Sequence, residues 1–278
     1  MRVNITRFAP APTGFLHLGH VVNALYVWGA ARQYDARVLL RIEDHDRQRR
    51  RQEFEEAIFE DLDWLGFHAD EPAVRQSARE DIYRQALDTL NRHGLVYACA
   101  CTRAEIAKVA GSFVRAADDE LRYPGTCRDR GLADAPGLGL RVRLAETIEH
   151  FVDLRHGSQE QQPSAQCGDL LIRDRDGNWT YQFCAAVDDY RQGVTLVVRG
   201  DDLLASTGRQ VQLARLLGRR EPPLFLHHPL IMKSAAQKLS KSDGDTGIRS
   251  LREKGWSAAQ VIEKARALAG DLPLSCRP

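Results

Sequence analysis

Residues 3–42 read VNITRFAPAPTGFLHLGHVVNALYVWGAARQYDARVLLRI, and this stretch decides the fold. Residues 3–8 are typical of a short strand, and PAPTGFLHLGH, residues 10–20, is a turn rich in proline and glycine. Residues 20–34 carry apolar side chains at helical spacing, and the apolar run 37–42 predicts a buried strand. This strand–turn–helix–strand order predicts a βαβ unit, which favours a parallel sheet with a right-handed crossover.

The rest of the chain continues the alternation of helices and strands. The apolar pattern predicts helices at 52–67, 77–94, 181–193, 206–218 and 257–270. It predicts strands at 140–144, 149–154, 169–174, 194–200 and 223–232. Between residues 98 and 140 the periodicity weakens, which indicates an insertion, and a flexible loop is predicted at 234–247.

Length and composition exclude several classes of protein. A chain of 278 residues has room for about two domains, and 43% apolar with 28% charged residues is an ordinary globular composition. No apolar run approaches the ~20 residues of a membrane span, and the N-terminus lacks an apolar signal region, so we expect a cytoplasmic protein without membrane contact. The net charge of +1 argues against a highly basic, non-specific nucleic-acid binder.

The turn FAPAPTGFLHLGH joins the first strand to the first helix and predicts a phosphate site. A helix N-terminus presents free amides and a positive dipole, which suits phosphate. Gly14 and Gly19 permit close approach of the backbone, and His17 and His20 can donate hydrogen bonds to phosphate oxygens. The alternative is a turn with two surface histidines.

A second motif, KLSKS at residues 238–242, lies in a loop rich in glycine, serine and aspartate. Lys238 and Lys241 can reach one phosphate group as mobile point charges, and the loop can stabilise a phosphorus centre electrostatically. The alternative is a solvated loop without a binding role. The presence of the first motif in the same chain favours the phosphate-binding interpretation over this alternative.

These strings together carry a family resemblance. HLGH and KLSKS resemble the two signatures of class I aminoacyl-tRNA synthetases, and RFAPAPTGFLHLGH, LLRIEDHDRQR and GNWTYQFCAAVDDYRQGVTLVVRGDDLL resemble the glutamyl branch. The match covers most of residues 5–245. Within that branch the chain is similar to the glutamyl-Q tRNA(Asp) synthetases, which are truncated paralogues of glutamyl-tRNA synthetase. It keeps His20 and Ser242, where several members of that group differ.

The resemblance implies an α/β fold with a Rossmann-like parallel sheet, a zinc-bearing insertion, a short helical C-terminal extension and no anticodon-binding domain. The implied division begins with a first catalytic half at 1–95. An inserted acceptor-type, zinc-binding segment follows at 96–140, and in the longest version of this division the insertion ends at about residue 175. The second catalytic half with the KLSKS loop follows at 176–242, and the helical extension occupies 243–278.

The resemblance also implies the site residues. The expected ligands of L-glutamate are Arg7, Phe8, Ala9, Pro10, Ala11, Glu43, Tyr181 and Arg199. Arg7 suits a carboxylate because its guanidinium is a bidentate fork, and Glu43 matches the family's acidic residue for the substrate ammonium. His17, Gly19, His20 and Lys241 are implied for ATP, which brings Mg²⁺, and His17, His20, Lys238 and Lys241 are implied as catalytic. For Arg7, Glu43 and Tyr181 the alternatives are surface charges at strand ends and a core aromatic residue.

Three cysteines of the insertion predict a metal site. Cys99, Cys101 and Cys127 can supply three thiolates to Zn²⁺, which needs one further ligand for a tetrahedron. Tyr123 matches the family's C-x-C … Y-x3-C arrangement, although a water or a neighbouring side chain can fill that position. We expect one structural zinc ion, and the alternative is three free cysteines in a loop.

Only 36 residues follow Ser242, and we expect one helix there and contact with one end of a tRNA. In the resembled family that end is the anticodon loop of tRNA(Asp), where queuosine at the wobble position accepts the glutamyl group. RNA loops suit such recognition because their bases can be splayed out and stacked. A basic run, Arg47, Arg49, Arg50 and Arg51, is either a phosphate contact or a solvated helix start. We expect a monomer, and two other readings stay open: a compact enzyme charging another acceptor, and a non-catalytic nucleotide- or RNA-binding relic.

Overall fold

The computed structural model describes residues 3–46, 50–110, 121–230, 232–234, 237–238 and 247–269. Its helices are α1 (Leu18–Tyr34), α2 (Gln52–Leu65), α3 (Glu80–Arg92), α4 (Arg103–Ala110), α5 (Pro163–Cys167), α6 (Tyr181–Arg191), α7 (Thr207–Leu216), α8 (Ile248–Glu253) and α9 (Ala258–Ala269). Its strands are β1 (Ile5–Phe8), β2 (Arg37–Ile42), β3 (Val74–Arg75), β4 (Val96–Cys99), β5 (Gly139–Val142), β6 (Glu149–Asp153), β7 (Gly157–Gln161), β8 (Leu170–Arg173), β9 (Leu196–Gly200), β10 (Leu224–His228), β11 (Met232–Ser234) and β12 (Gln237–Lys238).

Parallel strands form the centre of the molecule. One sheet has the order β1-β2-β3 and is parallel throughout, and another has the order β7-β6-β10-β9, in which β10 runs parallel to both β6 and β9. The two sheets meet where β1 lies beside β9, because Thr195 N donates to Ile5 O at 2.9 Å. Read across this junction, the parallel strands follow the order 3-2-1-9-10, the pattern of a doubly wound α/β fold. The predicted parallel α/β fold is confirmed.

Helix α1 packs in the main core and carries the HLGH turn at its start. Its buried residues are distributed around the helix, since it is covered by the sheet on one side and by α9 on the other. It begins two residues before the predicted helix, because His17 caps it: His17 Nδ1 accepts from Gly19 N at 3.0 Å. The consequence is that the turn is a rigid, hydrogen-bonded helix start.

A separate antiparallel sheet, β4-β5-β8, lies within residues 96–173. It packs with α3 and α6 in a second core cluster, which includes Tyr83, Trp179 and Phe183. The β6–β7 hairpin lies between β5 and β8 in the sequence, yet it joins the sheet of β9 and β10. The chain therefore leaves the antiparallel sheet, contributes two strands to the central sheet, and returns.

Several predicted elements end or begin elsewhere than expected. The strand predicted at 223–232 stops at His228, because Pro229 has no backbone N–H to continue a ladder. One helix was expected after Ser242, but α8 and α9 both occur there. Among the described residues, no helix is long and apolar enough to cross a membrane.

Candidate active site

Arg7 lies at the end of β1, where the central sheet opens. Its side chain is buried and its Nε donates to Asp189 Oδ1 at 3.0 Å, with a second bond from Nη2 to Oδ2 at 3.3 Å. Its Nη1 donates to Val198 O at 3.0 Å, so both α6 and β9 hold it in place. Burial raises the pKa of Asp189, but the charges of Arg7 and Arg41 outweigh that effect and leave the pKa well below its usual range.

Arg41, on β2, was not predicted and is fully buried beneath Arg7. Its Nη1 donates to Asp189 Oδ1 at 2.7 Å, and its Nη2 donates to Glu43 Oε1 at 3.0 Å. The neighbouring Asp188 accepts from Arg79, Tyr83 and Gln76. Burial lowers the pKa of Arg41, but these three carboxylates raise it well above its ordinary value. Arg41 is thus a permanent cation that fixes Glu43 and Asp189.

Arg199, at the end of β9, is the second predicted arginine. Its guanidinium contacts three side chains that are not carboxylates. Nε lies 3.0 Å from His227 Nε2, Nη1 donates to Gln210 Oε1 at 2.6 Å, and Nη2 donates to the Thr207 hydroxyl at 2.9 Å. Burial lowers the pKa of Arg199, and the neighbouring Tyr181 raises it. Burial, and then the charge of Glu43, raise the pKa of Tyr181. The charges of Arg199 and Arg7 also act on the Tyr181 hydroxyl and lower its pKa. The fold therefore brings Tyr181 close to Arg7, Glu43 and Arg199.

The segment after Arg7 plays two roles. Phe8 is 1% exposed and its ring packs 5.5 Å from Trp28, so its side chain belongs to the core. Pro10 O accepts from Glu43 N at 3.0 Å, which ties the turn to the end of β2. Ala9 and Ala11 are partly exposed. Only the backbone of Phe8, together with residues 9–11, is available to line the site.

His17 and His20 form one unit at the start of α1. His17 N donates to His20 Nδ1 at 3.1 Å, and the two ring centroids lie 4.0 Å apart. Because Nδ1 of each ring accepts a backbone hydrogen bond, the neutral rings carry their proton on Nε2. A Cβ at Gly19 would lie 2.7 Å from His17 Cε1, so glycine is needed here to seat the His17 ring.

The structure describes one of the two lysines of the second signature. Lys238 lies in β12, which pairs with β11, and Lys241 lies outside the described residues. The chain at the end of the loop returns to the first signature. Gly247 forms an isolated antiparallel β-bridge with His17, and Ile248 N donates to Leu16 O at 2.9 Å. The exit of the KLSKS loop is therefore bound to the HLGH turn.

Cys99, Cys101, Cys127 and Tyr123 converge as predicted, and we call them the cysteine cluster. The three sulfur atoms lie within 4.8 Å of one another, with Cys101 Sγ 3.5 Å from Cys127 Sγ. The Tyr123 hydroxyl lies 3.4 Å from Cys99 Sγ and accepts from Cys127 N at 2.8 Å. Such spacing, with soft thiolate donors, fits a tetrahedral zinc ion.

Two arginines that sequence reasoning missed contact this cluster. Arg141 donates to Cys99 Sγ at 3.4 Å and stacks 3.7 Å above the Tyr123 ring, and Arg130 lies 3.6 Å from Cys127 Sγ. Three thiolates around Zn²⁺ leave a net negative charge, which these cations offset. The observed donors and their surroundings therefore fit the predicted metal.

The basic run before α2 is described only in part. Arg47 and Arg49 lie outside the described residues. Arg50 forms an ion pair with Asp44 at 3.0 Å, and Arg51 N donates to Pro12 O at 3.1 Å. The described part of the run thus packs against the turn that follows β1.

Comparison with known proteins agrees with this geometry. The family model for the catalytic domain of class I tRNA synthetases (E and Q) matches residues 3–269. A glutamyl-Q tRNA(Asp) synthetase from Bordetella bronchiseptica is 46% identical over 273 residues, which cover 96% of this chain and 85% of the relative. A glutamate–tRNA ligase 1 from Acidithiobacillus ferrooxidans is 41% identical, covering 90% of this chain and 54% of the relative.

The chain belongs to the class I tRNA synthetases (E and Q). It is a ligase of the aminoacyl-tRNA synthetase type, and its similarity to a glutamyl-Q tRNA(Asp) synthetase extends over nearly its whole length. A crystal structure of a glutamate tRNA ligase from Elizabethkingia meningosepticum, in complex with its amino acid, aligns with a TM-score of 0.73 at 31% identity. That alignment covers 88% of this chain and 53% of the other, so this synthetase spans about half the length of that ligase.

Sequence reasoning missed the residues that hold the predicted ones. Arg41, Asp188 and Asp189 were inside quoted motifs, RIED and AVDDY, but only their charge was visible there. A signal did exist for Arg41, since a charged residue within the apolar run RVLLRI must be buried with a partner. No comparable signal marks His227, which contacts Arg199.

Proposed function

We propose that this synthetase activates L-glutamate with ATP to glutamyl-adenylate and transfers the glutamyl group to queuosine at the wobble position of the tRNA(Asp) anticodon. The observation that carries the proposal is the charge of the buried pocket. Four arginines, Arg7, Arg41, Arg79 and Arg199, face three carboxylates, those of Glu43, Asp188 and Asp189. Among the four arginines, Arg199 has no carboxylate among its direct hydrogen-bond partners in the described residues, so a carboxylate of free glutamate can pair with it, whereas the side-chain amide of glutamine carries no charge.

Each predicted ligand has a role that its position supports. Arg7 and Arg199 bind the two carboxylates of glutamate, since both guanidinium groups are buried and held at strand ends. Glu43 accepts the substrate ammonium, and the Tyr181 hydroxyl completes the polar wall. The backbone of residues 8–11 closes the pocket beside Glu43.

ATP lies at the start of α1 in this proposal. The Nε2–H groups of His17 and His20 bind phosphate oxygens at the positive end of the helix dipole, and Gly19 leaves room for the His17 ring. The α-carboxylate of glutamate attacks the α-phosphorus, and the bond to pyrophosphate breaks. Lys238 and Lys241 stabilise the charge on the leaving group, and Mg²⁺ accompanies ATP. Positioning supplies most of the acceleration, because no proton has to leave the attacking carboxylate.

Zn²⁺ has a structural role in the cysteine cluster. The cluster connects the end of β4 with the segment around Tyr123 and Cys127, and α4 begins directly after Cys101. A bound ion would hold these two stretches together next to β5. The cluster offers four protein donors, which leaves no open position for a reacting water.

The acceptor is inferred from the names of relatives together with the partial overlap with the longer ligases. We propose that the synthetase acts as a monomer and contacts the anticodon loop of tRNA(Asp). The partly exposed groove between the cysteine cluster and Tyr181 supports this, because it leads from the amino-acid pocket to the antiparallel sheet. Its lining contains three arginines, Arg103, Arg141 and Arg175, and three carboxylates, Asp169, Asp174 and Asp176, so charge does not contribute to this argument.

Amino-acid activation is tested by ATP–pyrophosphate exchange without tRNA. We expect exchange with glutamate and little with glutamine, and loss of exchange in Arg199→Met. Arg191→Met, which removes an exposed arginine at the end of α6, is the matched control and keeps the exchange. Absence of exchange with glutamate in the unsubstituted protein would contradict the proposal.

The acceptor is tested by transfer of labelled glutamate to tRNA(Asp) with and without queuosine. Labelling of only the queuosine-containing tRNA supports the proposal. The 41% identity to a glutamate–tRNA ligase favours one second candidate, a ligase that charges the terminal ribose of a tRNA. Labelling of tRNA(Glu), with none of tRNA(Asp), would favour that candidate.

A further inference from the structure

The Asp153 carboxylate lies behind the amino-acid pocket and belongs to none of the motifs quoted above. It is 1% exposed, and its Oδ1 accepts from the backbone N–H groups of Arg155 at 2.9 Å and His156 at 2.8 Å. Its Oδ2 accepts from His227 N at 3.0 Å and lies 2.7 Å from His227 Nδ1. The carboxylate therefore has four donors around two oxygens, and its position is fixed.

These contacts determine the protonation of the His227 ring. An ionised carboxylate only accepts, so His227 Nδ1 carries the proton that it donates to Asp153. Nε2 of the same ring faces the Arg199 Nε–H at 3.0 Å, and an arginine N–H only donates. Nε2 must therefore be unprotonated. The ring is neutral, and it connects a carboxylate on β6 to a guanidinium on β9.

We propose that Asp153 and His227 are positioning residues that hold the Arg199 guanidinium for a carboxylate of glutamate and so contribute to selection of glutamate over glutamine. This inference rests on the proposed function for its substrate. The contact chain is continuous: Asp153 orients His227, and His227 orients Arg199, which also donates to Thr207 and Gln210.

The neutral ring explains how Arg199 is fixed without being neutralised. Arg7 is bound by the Asp189 carboxylate, which cancels most of its charge. Arg199 instead donates to an imidazole, a hydroxyl and an amide oxygen, none of which carries a negative charge. Arg199 therefore has no carboxylate among these direct partners, which leaves its guanidinium available to pair with a bound carboxylate.

The groups around His227 favour the neutral ring. Its ring stacks on Phe225 at 5.9 Å between centroids, and the Thr207 hydroxyl lies 3.2 Å from Nε2. Burial lowers the pKa of His227, the bond to Asp153 raises it, and the charge of Arg199 lowers it; the result lies below the ordinary histidine value. The charge of Asp201 also acts on the ring and raises its pKa.

The tautomer is tested directly by NMR of protein labelled with ¹⁵N in histidine. We expect His227, assigned by its absence in His227→Gln, to show a protonated Nδ1 and an unprotonated Nε2 at pH 7. The opposite tautomer, or a doubly protonated ring, would overturn the proposal. This measurement needs neither ATP nor glutamate, so its result is independent of the proposed function.

The positioning role is tested by a pair of substitutions at one residue. Gln at position 227 places an amide oxygen near the former Nε2, whereas Leu leaves Arg199 Nε–H without an acceptor. We expect the KM for glutamate to rise about 10- to 100-fold in His227→Leu, as for loss of a hydrogen bond to a charged group, and much less in His227→Gln. The KM for ATP should stay unchanged in both. Equal effects of Gln and Leu, or parallel increases of both KM values, would overturn the proposal.

Asp153→Asn tests the other end of the chain of contacts. An amide at Asp153 donates to Nδ1 and favours the tautomer with a proton on Nε2, which then points at Arg199 Nε–H. We expect weaker glutamate binding and a smaller preference for glutamate over glutamine. His150→Gln, on the exposed face of β6, is the control and should change neither. An unchanged preference in folded Asp153→Asn would contradict the role; absence of exchange in the unsubstituted protein would instead contradict the proposed function.

Discussion

The amino-acid pocket and the cysteine cluster are both buried and polar, but they reach stability in different ways. In the pocket, positive and negative side chains alternate, and Arg7 and Arg41 both pair with the Asp189 carboxylate. In the cluster, three thiols and a phenol face one another, and ionisation of the thiols places like charges within 4.8 Å. The pocket is complete as folded, whereas the cluster needs a cation at its centre.

This difference indicates two kinds of dependence on ligand. A preorganised pocket binds without rearrangement, because its groups are already oriented by other protein groups. A set of converging thiolates gains its folding energy from the metal itself. We therefore expect the α/β part of the synthetase to respond to charge substitutions and the antiparallel sheet to respond to metal removal.

The largest effect is expected from Asp189→Asn. It removes the carboxylate that pairs with Arg7 and leaves Arg41 with Glu43 and Asp188, and loss of one partner of a buried ion pair costs about 3–5 kcal/mol. Urea unfolding measures the loss. Asp134→Asn, which breaks a half-exposed pair with Arg173, is the control and should cost about 1 kcal/mol or less. Similar losses in the two variants would refute the ordered pocket.

Acid should remove the same contribution without a substitution. The pKa of Asp189 is lower in the folded state than in the unfolded state, so its stabilisation is complete above about pH 4. It is lost as the pH falls further, through the folded-state pKa. The free energies of unfolding of the unsubstituted protein and of Asp189→Asn should therefore converge below pH 4. A constant difference down to pH 2 would contradict this assignment.

Removal of zinc should affect the cysteine cluster more than the pocket. At a free zinc concentration 100-fold above Kd, its loss costs about 3 kcal/mol. We expect the Cys99→Ser, Cys127→Ser double variant to contain no zinc, with hydrogen exchange increased in β4 and β5 and unchanged in β1 and β2. Cys167→Ser, at a buried cysteine outside the cluster, should retain one zinc per chain. Full zinc content in the double variant would reject the ligand set.

The smallest effect is expected from Arg141→Met. This change removes the cation above Tyr123 and the bond to Cys99 Sγ but keeps the four donors. Loss of a group that supports metal ligands typically weakens metal affinity about 10- to 100-fold. Competition with a chromophoric chelator measures the affinity. Arg143→Met, which alters the next arginine of the same segment, is the comparison, and an equal change in both would show that Arg141 has no special role.

The sequence predicted the parallel sheet and most helices because their apolar periodicity is strong. It missed β7, whose residues GSQEQ have no apolar alternation, since only pairing with β6 makes this segment a strand. It also missed α4, although Thr102 and Glu105 form a capping box that a reader can recognise. Local patterns reveal elements that bury one face, and they do not reveal elements defined by their neighbours.

The site shows the same division. The signatures placed Arg7, Glu43, Tyr181 and Arg199 in one pocket, and the structure brings them together. The sequence did not reveal the partners of these residues, because Arg7 and Asp189 are separated by 182 positions and Arg41 and Asp189 by 148. Charge pairing at such distances depends on the register of β1, β2 and α6. A single sequence carries no trace of that register.

Asp188 and Asp189 are adjacent on α6 and face different partners. Asp188 binds Arg79, Tyr83 and Gln76, and Asp189 binds Arg7 and Arg41. Any single replacement of a charge therefore unbalances a network that reaches from α3 to the amino-acid pocket. For evolution, we expect a change of charge in this network to be retained only together with a second change that restores the balance of charge.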